Sequence, residues 1–113
     1  MTVGPKVLRI YATAGGRKPF QEWLDSLKDY SAKARILVRL DRVQVGNSGD
    51  SKAVGEGVHE LRIDAGPGYR VYFGQDADSI VILLCGGTKG TQTRDIASAK
   101  RYWVDYRSTK HGT

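Results

Sequence analysis

The chain has 113 residues, with 18 Lys and Arg against 12 Asp and Glu, a net charge of +6. That is the size of one domain with one modest core, and its lone cysteine, Cys85 in an apolar run, excludes an internal disulfide and reads as a buried thiol. No apolar run reaches the ~20 residues of a membrane span and no secretory leader is visible, so a soluble, cytoplasmic protein is expected; the positive balance points to an anionic partner, nucleic acid or an acidic protein, or to nothing more than a basic surface.

"KVLRIYAT" (6–13) mixes β-branched, aromatic and charged residues and reads as a first strand. After "AGGRKP", Pro19 suits a first helical turn, and Phe20, Trp23, Leu24 and Leu27 fall on one helix face. A second helix is expected from about Ser31 to Val45. Ser31 would be its N-cap, and Ile36, Leu37, Leu40 and Val43 its apolar stripe. Lys33, Arg35, Arg39 and Arg42 load its remaining surface, either as a solvated face or as a contact for RNA or a partner. The Gly-rich segment 46–57 reads as a turn-rich connection.

Three strands follow. In "VHELRID", His59, Leu61 and Ile63 share one face, and Val58, Glu60, Arg62 and Asp64 the other. "AGPG" is a hairpin turn, and Tyr69, Val71 and Phe73 then alternate with Arg70 and Tyr72. "IVILLC" (80–85) is apolar on both faces and should be deeply buried. "GGTKGTQ" reads as a loop. The last helix carries Ile96, Ala99, Trp103 and Tyr106 on one side, with Thr93 as cap and Asp95 at the positive end of its dipole. The expected fold is α+β: a small twisted antiparallel sheet with two N-terminal helices and one C-terminal helix, in one domain spanning 1–113 with a flexible tail from about residue 108.

Arg62 and Arg70 lie opposite the apolar sets of two strands joined by a tight turn, so both project from one side of the sheet, with Tyr72 beside them and Lys89 near the sheet's end. Like charges ~6 Å apart at an effective dielectric near 20 repel by about 2–3 kcal/mol per pair before screening. Either Glu60 and Asp64 neutralise the cluster, or an anion is its guest; the arginine fork suits phosphate oxygens.

These residues carry a resemblance. "VHELRIDAGPGYRVYF", a buried strand and "GGTKGTQTRDIASAKRYWVDY", together with "PFQEWLDSL", resemble the RelE/ParE superfamily of bacterial toxins, in particular its phage-derived, HigB-like branch of addiction-module killer proteins. The resemblance covers roughly residues 6–107. It implies a twisted antiparallel sheet flanked by helices, and the toxin of a type II toxin–antitoxin module that cleaves mRNA on the ribosome without metal or cofactor. It also implies a cognate antitoxin, of helix-turn-helix, HigA-like type, that masks the active surface. ParE-like members share the fold and instead poison DNA gyrase, and an inactive relative would hold RNA without cutting it. Arg62, Arg70 and Lys89 match the family's basic positions, and Gln92 and Asp95 its polar ones. Where several relatives have a tyrosine or histidine near the last helix, this chain has Ile96.

On this reading Arg62 and Arg70 stabilise a phosphorane formed by attack of the RNA's own 2′-hydroxyl. Arginine stays charged, so Lys89 or Tyr72 would donate the proton, with Tyr72 alternatively a stacking platform and Glu60 a weaker candidate base. Gln92, Arg94, Arg39 and Arg42 are the expected RNA contacts. His59 reads as structural, His111 as part of the tail, and Tyr102, Trp103 and Tyr106 as core or partner contacts. No His/Cys spacing suggests zinc, and no phosphate loop of the G-x-x-x-x-G-K-[ST] type occurs.

Overall fold

In chain order, the computed structural model, which describes residues 4–111, has β1 (Val7–Ile10), α1 (Pro19–Ser26), α2 (Tyr30–Gln44), β2 (Ser51–Gly55), β3 (Val58–Ile63), β4 (Tyr69–Asp76), β5 (Ile80–Thr88), a 3-10 turn (Lys89–Thr91) and α3 (Gln92–His111). The fold class is the expected α+β. The five strands lie in the order β1-β5-β4-β3-β2. The sheet is mixed rather than wholly antiparallel, because β1 runs parallel to β5 while the other neighbours are antiparallel. The reason is topological. After β1 the chain crosses to the far edge through α1 and α2, then meanders back by three hairpins until β5 lies beside β1.

Local chemistry sets the helix ends. Pro19 opens α1, and Leu27 ends it in an extended conformation. α2 begins one residue before the expected start, because the Asp29 side chain, not Ser31, accepts the Ala32 N–H at 3.1 Å. Ala32, Ile36, Leu40 and Val43 form its buried stripe, and Leu37 is exposed. β2 occupies part of the segment read as a connection. The segment read as a loop before α3 is the end of β5 followed by the 3-10 turn, which is capped by reciprocal Thr88 and Thr91 contacts, so Thr93 lies inside the helix rather than capping it. α3 continues to His111, through residues read as a tail; the His111 side chain lies outside the described residues.

The sheet separates two apolar layers. Phe20, Leu24, Ile36 and Leu40 pack on Leu61, Val71 and Leu83 on the α1/α2 side. Ala99 and Trp103 of α3 pack on Val58, Tyr72, Ile82 and Leu84 on the other. β5 faces both, which explains its apolar run; the buried thiol of Cys85 lies on the α3 side. A register shift sets Tyr72 opposite Cys85 and Phe73 opposite Leu83, so Leu84 is the extra residue of a bulge. That slip turns Gly86 toward Trp23 and Gly87 toward Asp95 at the start of α3.

Candidate functional site

α3 covers only part of its face of the sheet, and the end it leaves open carries the arginines. Arg62 and Arg70 are direct cross-strand partners, as are Glu60 and Tyr72 two residues along. All four side chains project to the α3 side, as strand alternation requires. Of these, Arg62 and Arg70 join Lys89 in bordering a cleft of about 430 Å³, walled by the Gly66–Pro67–Gly68 turn and rimmed by Asp50 and Asp64. The turn is locked to the 3-10 segment by Lys89 N–H donating to the Gly68 carbonyl at 2.8 Å. Gly68 has φ +82, and a Cβ there would stand 3.3 Å from Arg70 Nη1. Glycine thus supplies both the left-handed turn and the room for the guanidinium.

Beneath the cleft lies one carboxylate. Glu60 is fully buried. Its Oε1 accepts from Arg62 Nε at 3.1 Å and stands 3.8 Å from Arg70 Nε; its Oε2 accepts from Tyr72 Oη at 3.1 Å and from Gln92 Nε2 at 2.7 Å. Burial alone would raise its pKa, but the hydrogen bonds from Gln92, Arg62 and Tyr72 and the charge of Arg70 outweigh that, and its pKa lies below the usual carboxylate value. The arginines are therefore neither splayed apart nor each paired with its own carboxylate. They share one, and among the described residues no ion pair joins either to Asp50 or Asp64. Arg70 Nη1 donates to the Tyr69 carbonyl at 3.1 Å, and its Nε, buried, has no hydrogen-bond partner. A buried donor without a hydrogen bond costs about 1–3 kcal/mol; here the Glu60 carboxylate, 3.8 Å from the same nitrogen, offsets part of that cost by its charge.

Several expected site residues have other work. Tyr72, expected as proton donor or stacking platform, is fully buried with its hydroxyl on Glu60. Burial first, then the Glu60 charge, pushes its pKa up, so it holds its proton and offers no ring face to a base. Glu60, considered as a base, is committed to three donors and held ionised. Arg39, expected on RNA, turns inward: its guanidinium donates to the carbonyls of Arg62, Ser48 and Asp50, bracing the strand that carries Arg62. Gln92 spends its amide nitrogen on Glu60. Arg42 is exposed beside Arg35 in a neighbouring groove of about 580 Å³ that meets the cleft at Asp64. Arg94 is exposed, with Nε 3.6 Å from Asp95 Oδ1, and lines a third groove together with Lys89.

Asp95, assigned to the helix dipole, is a buried strut. It accepts from Thr91 Oγ1, and its Oδ2 occupies the space above Gly87, where a Cβ would lie 1.8 Å away. Asp50 at the cleft rim escaped the sequence reading, since it sits in a segment with no strand-like alternation. His59 stacks on Phe73 with ring centroids 5.3 Å apart, in keeping with a structural role. Ile96 packs with the α3-side core. Among the described residues no group of three or more His, Cys, Asp or Glu is placed to hold a metal ion, and no helix is long and apolar enough to cross a membrane.

The sequence pattern of the family described as "Phage derived protein Gp49-like" matches residues 22–103, which include every element from α2 to β5 and the whole cleft. A Haemophilus influenzae protein, named only as an uncharacterized protein, is 54% identical over 81 residues, covering 72% of this chain and 82% of the relative.

Proposed function

Because this chain belongs to the phage-derived Gp49-like family, we propose that it is the toxin of a type II toxin–antitoxin module, a metal-independent endoribonuclease of the HigB-like, RelE/ParE kind that cuts translated mRNA at the ribosome and so stops translation. The observation that carries this reading is the convergence of Arg62, Arg70 and Lys89 on one cleft, with the Nε edges of both arginines turned to a shared carboxylate below.

The chemistry follows from what such a cleft can hold. A phosphodiester seated there meets guanidinium donors on its non-bridging oxygens. The RNA's 2′-oxygen attacks phosphorus, the O2′–P bond forms and the P–O5′ bond breaks, leaving a 2′,3′-cyclic phosphate and a 5′-hydroxyl. Charge builds on the phosphorane, and each fixed donor lowers the barrier by about 2–4 kcal/mol. Lys89, exposed at the mouth, supplies the proton to the departing 5′-oxygen. The rim carboxylates of Asp50 and Asp64 are the acceptors available to the 2′-proton. Arg42 and Arg94, in the flanking grooves, hold neighbouring phosphates. A helix-turn-helix antitoxin of HigA type covers this surface in the resting cytoplasm.

The test is primer extension on cellular mRNA after induction. The wild type should give codon-phased cuts, and Arg70→Ala should lose about 10²–10³-fold in cleavage. Intact transcripts accompanied by broken chromosomal DNA would overturn the nuclease reading in favour of a gyrase inhibitor.

A further inference from the structure

Resting on that ribonuclease reading, we infer that Glu60 is the positioning residue of the site: a buried carboxylate that orients both guanidiniums from below and ties them to the start of α3 through Gln92.

A strand position facing a buried layer is ordinarily apolar, and a buried charge is costly unless its partners are well placed. Here they come from three elements. Arg62 belongs to β3, Tyr72 and Arg70 to β4, and Gln92 to α3. Three of them donate hydrogen bonds and Arg70 adds its charge, so an ionised carboxylate, an acceptor at both oxygens, is the side chain that answers them all. Glu60 takes the Nε edge of Arg62 in a hydrogen bond and draws the Nε edge of Arg70 to within 3.8 Å. The outer nitrogens of Arg62 are thereby left to the cleft. Because Gln92 opens α3 just after the 3-10 turn bearing Lys89, the same carboxylate sets the distance between the arginine pair and the lysine.

Positioning and simple neutralisation predict opposite results when the charge is removed. If Glu60 only damped the positive cluster, Glu60→Gln would raise the field on phosphate, and both RNA affinity and cleavage would increase. If Glu60 orients the forks, RNA affinity should hold or tighten while cleavage falls, since orientation counts most where the phosphorane needs its donors in place.

The experiment compares wild type, Glu60→Gln and Gln92→Leu, each checked for folding by thermal melting. Two readouts are taken: kcat and KM for cleavage of mRNA on programmed ribosomes, and the ¹⁵N NMR signals of the arginine Nε–H groups. For Glu60→Gln the expected result is a fall in kcat of about 10²-fold with KM unchanged or lower, and loss of the exchange-protected Nε–H signal of Arg62. Gln92→Leu keeps the charge and removes one strut, so kcat should fall by a smaller factor at constant KM. Unchanged Nε–H signals in Glu60→Gln, or faster cleavage by it, would overturn the proposal; should that variant not fold, wild-type kcat in Gln92→Leu would do so. If the wild type cuts nothing but Glu60→Gln still loses the signal, the nuclease reading falls and the positioning role stands.

Discussion

Replacing Tyr72 by Phe separates a phenol that performs chemistry from one that holds up the site. The ring of Tyr72 is fully buried against the α3-side core, so Phe keeps the packing and removes only the hydroxyl. That hydroxyl makes one hydrogen bond, to Glu60 Oε2 at 3.1 Å. A hydrogen bond to a charged group contributes about 1.5–3 kcal/mol. The lower end applies here, because Oε2 retains Gln92 at 2.7 Å and is not orphaned. At about 4 °C per kcal/mol for a domain of this size, the melting temperature should fall by about 6 °C. A general acid, by contrast, contributes about 10²–10⁴-fold to rate. Thermal denaturation and initial rates of RNA cleavage, measured on the same preparation below the melting range, give both numbers. The expected outcome is a clear loss of stability with kcat reduced by less than about tenfold, a margin set below the smallest general-acid effect. A rate loss of 10²-fold or more at unchanged melting temperature would mean that the phenol reaches the substrate, and the buried placement would be refuted as the active arrangement.

Two further outcomes follow from the same geometry. Gly87→Ala places a Cβ 1.8 Å from Asp95 Oδ2, so the start of α3 must shift; a cost of about 1–3 kcal/mol is expected from such overpacking, together with loss of cleavage, and a variant that melts and cuts like the wild type would contradict the close approach of β5 and α3. Glu60 has a folded-state pKa below the ordinary carboxylate value of 4.5, so its ionised form stabilises the fold above that pH, and this contribution is lost as pH falls through the folded pKa. The difference in melting temperature between wild type and Glu60→Gln should therefore be flat from neutral pH to about pH 5 and shrink in more acid solution; a difference that persists undiminished to about pH 3 would show that the carboxylate is not held ionised by its donors.

β2 was hidden because "SKAVG" is an edge strand with one partner and little burial, so no apolar alternation marks it among the glycines of 46–57. Asp29 displaced Ser31 as the α2 cap through a choice between two competent residues that only backbone geometry makes. Leu37 extends the stripe in sequence, yet it points away from the sheet on which α2 packs. Arg39 and Arg42 look alike on a helical wheel. One is adjacent to the carbonyls at the end of β3 and the other is not.

Alternation with a period of two was enough, by itself, to put Arg62, Arg70, Glu60 and Tyr72 on one side of one hairpin, because side-chain direction in paired strands is a local property of the backbone. It also separated the helical faces from the double-faced apolar strand. What that period cannot carry is the third dimension: how far α3 extends over its face, where the bulge at Leu84 resets the register, and which donors close around a carboxylate. Those were decided by packing between elements distant in the chain. Such packing buried Tyr72 out of reach, turned Arg39 into a brace, and placed Lys89 beside the two arginines at the end of the sheet that α3 leaves uncovered.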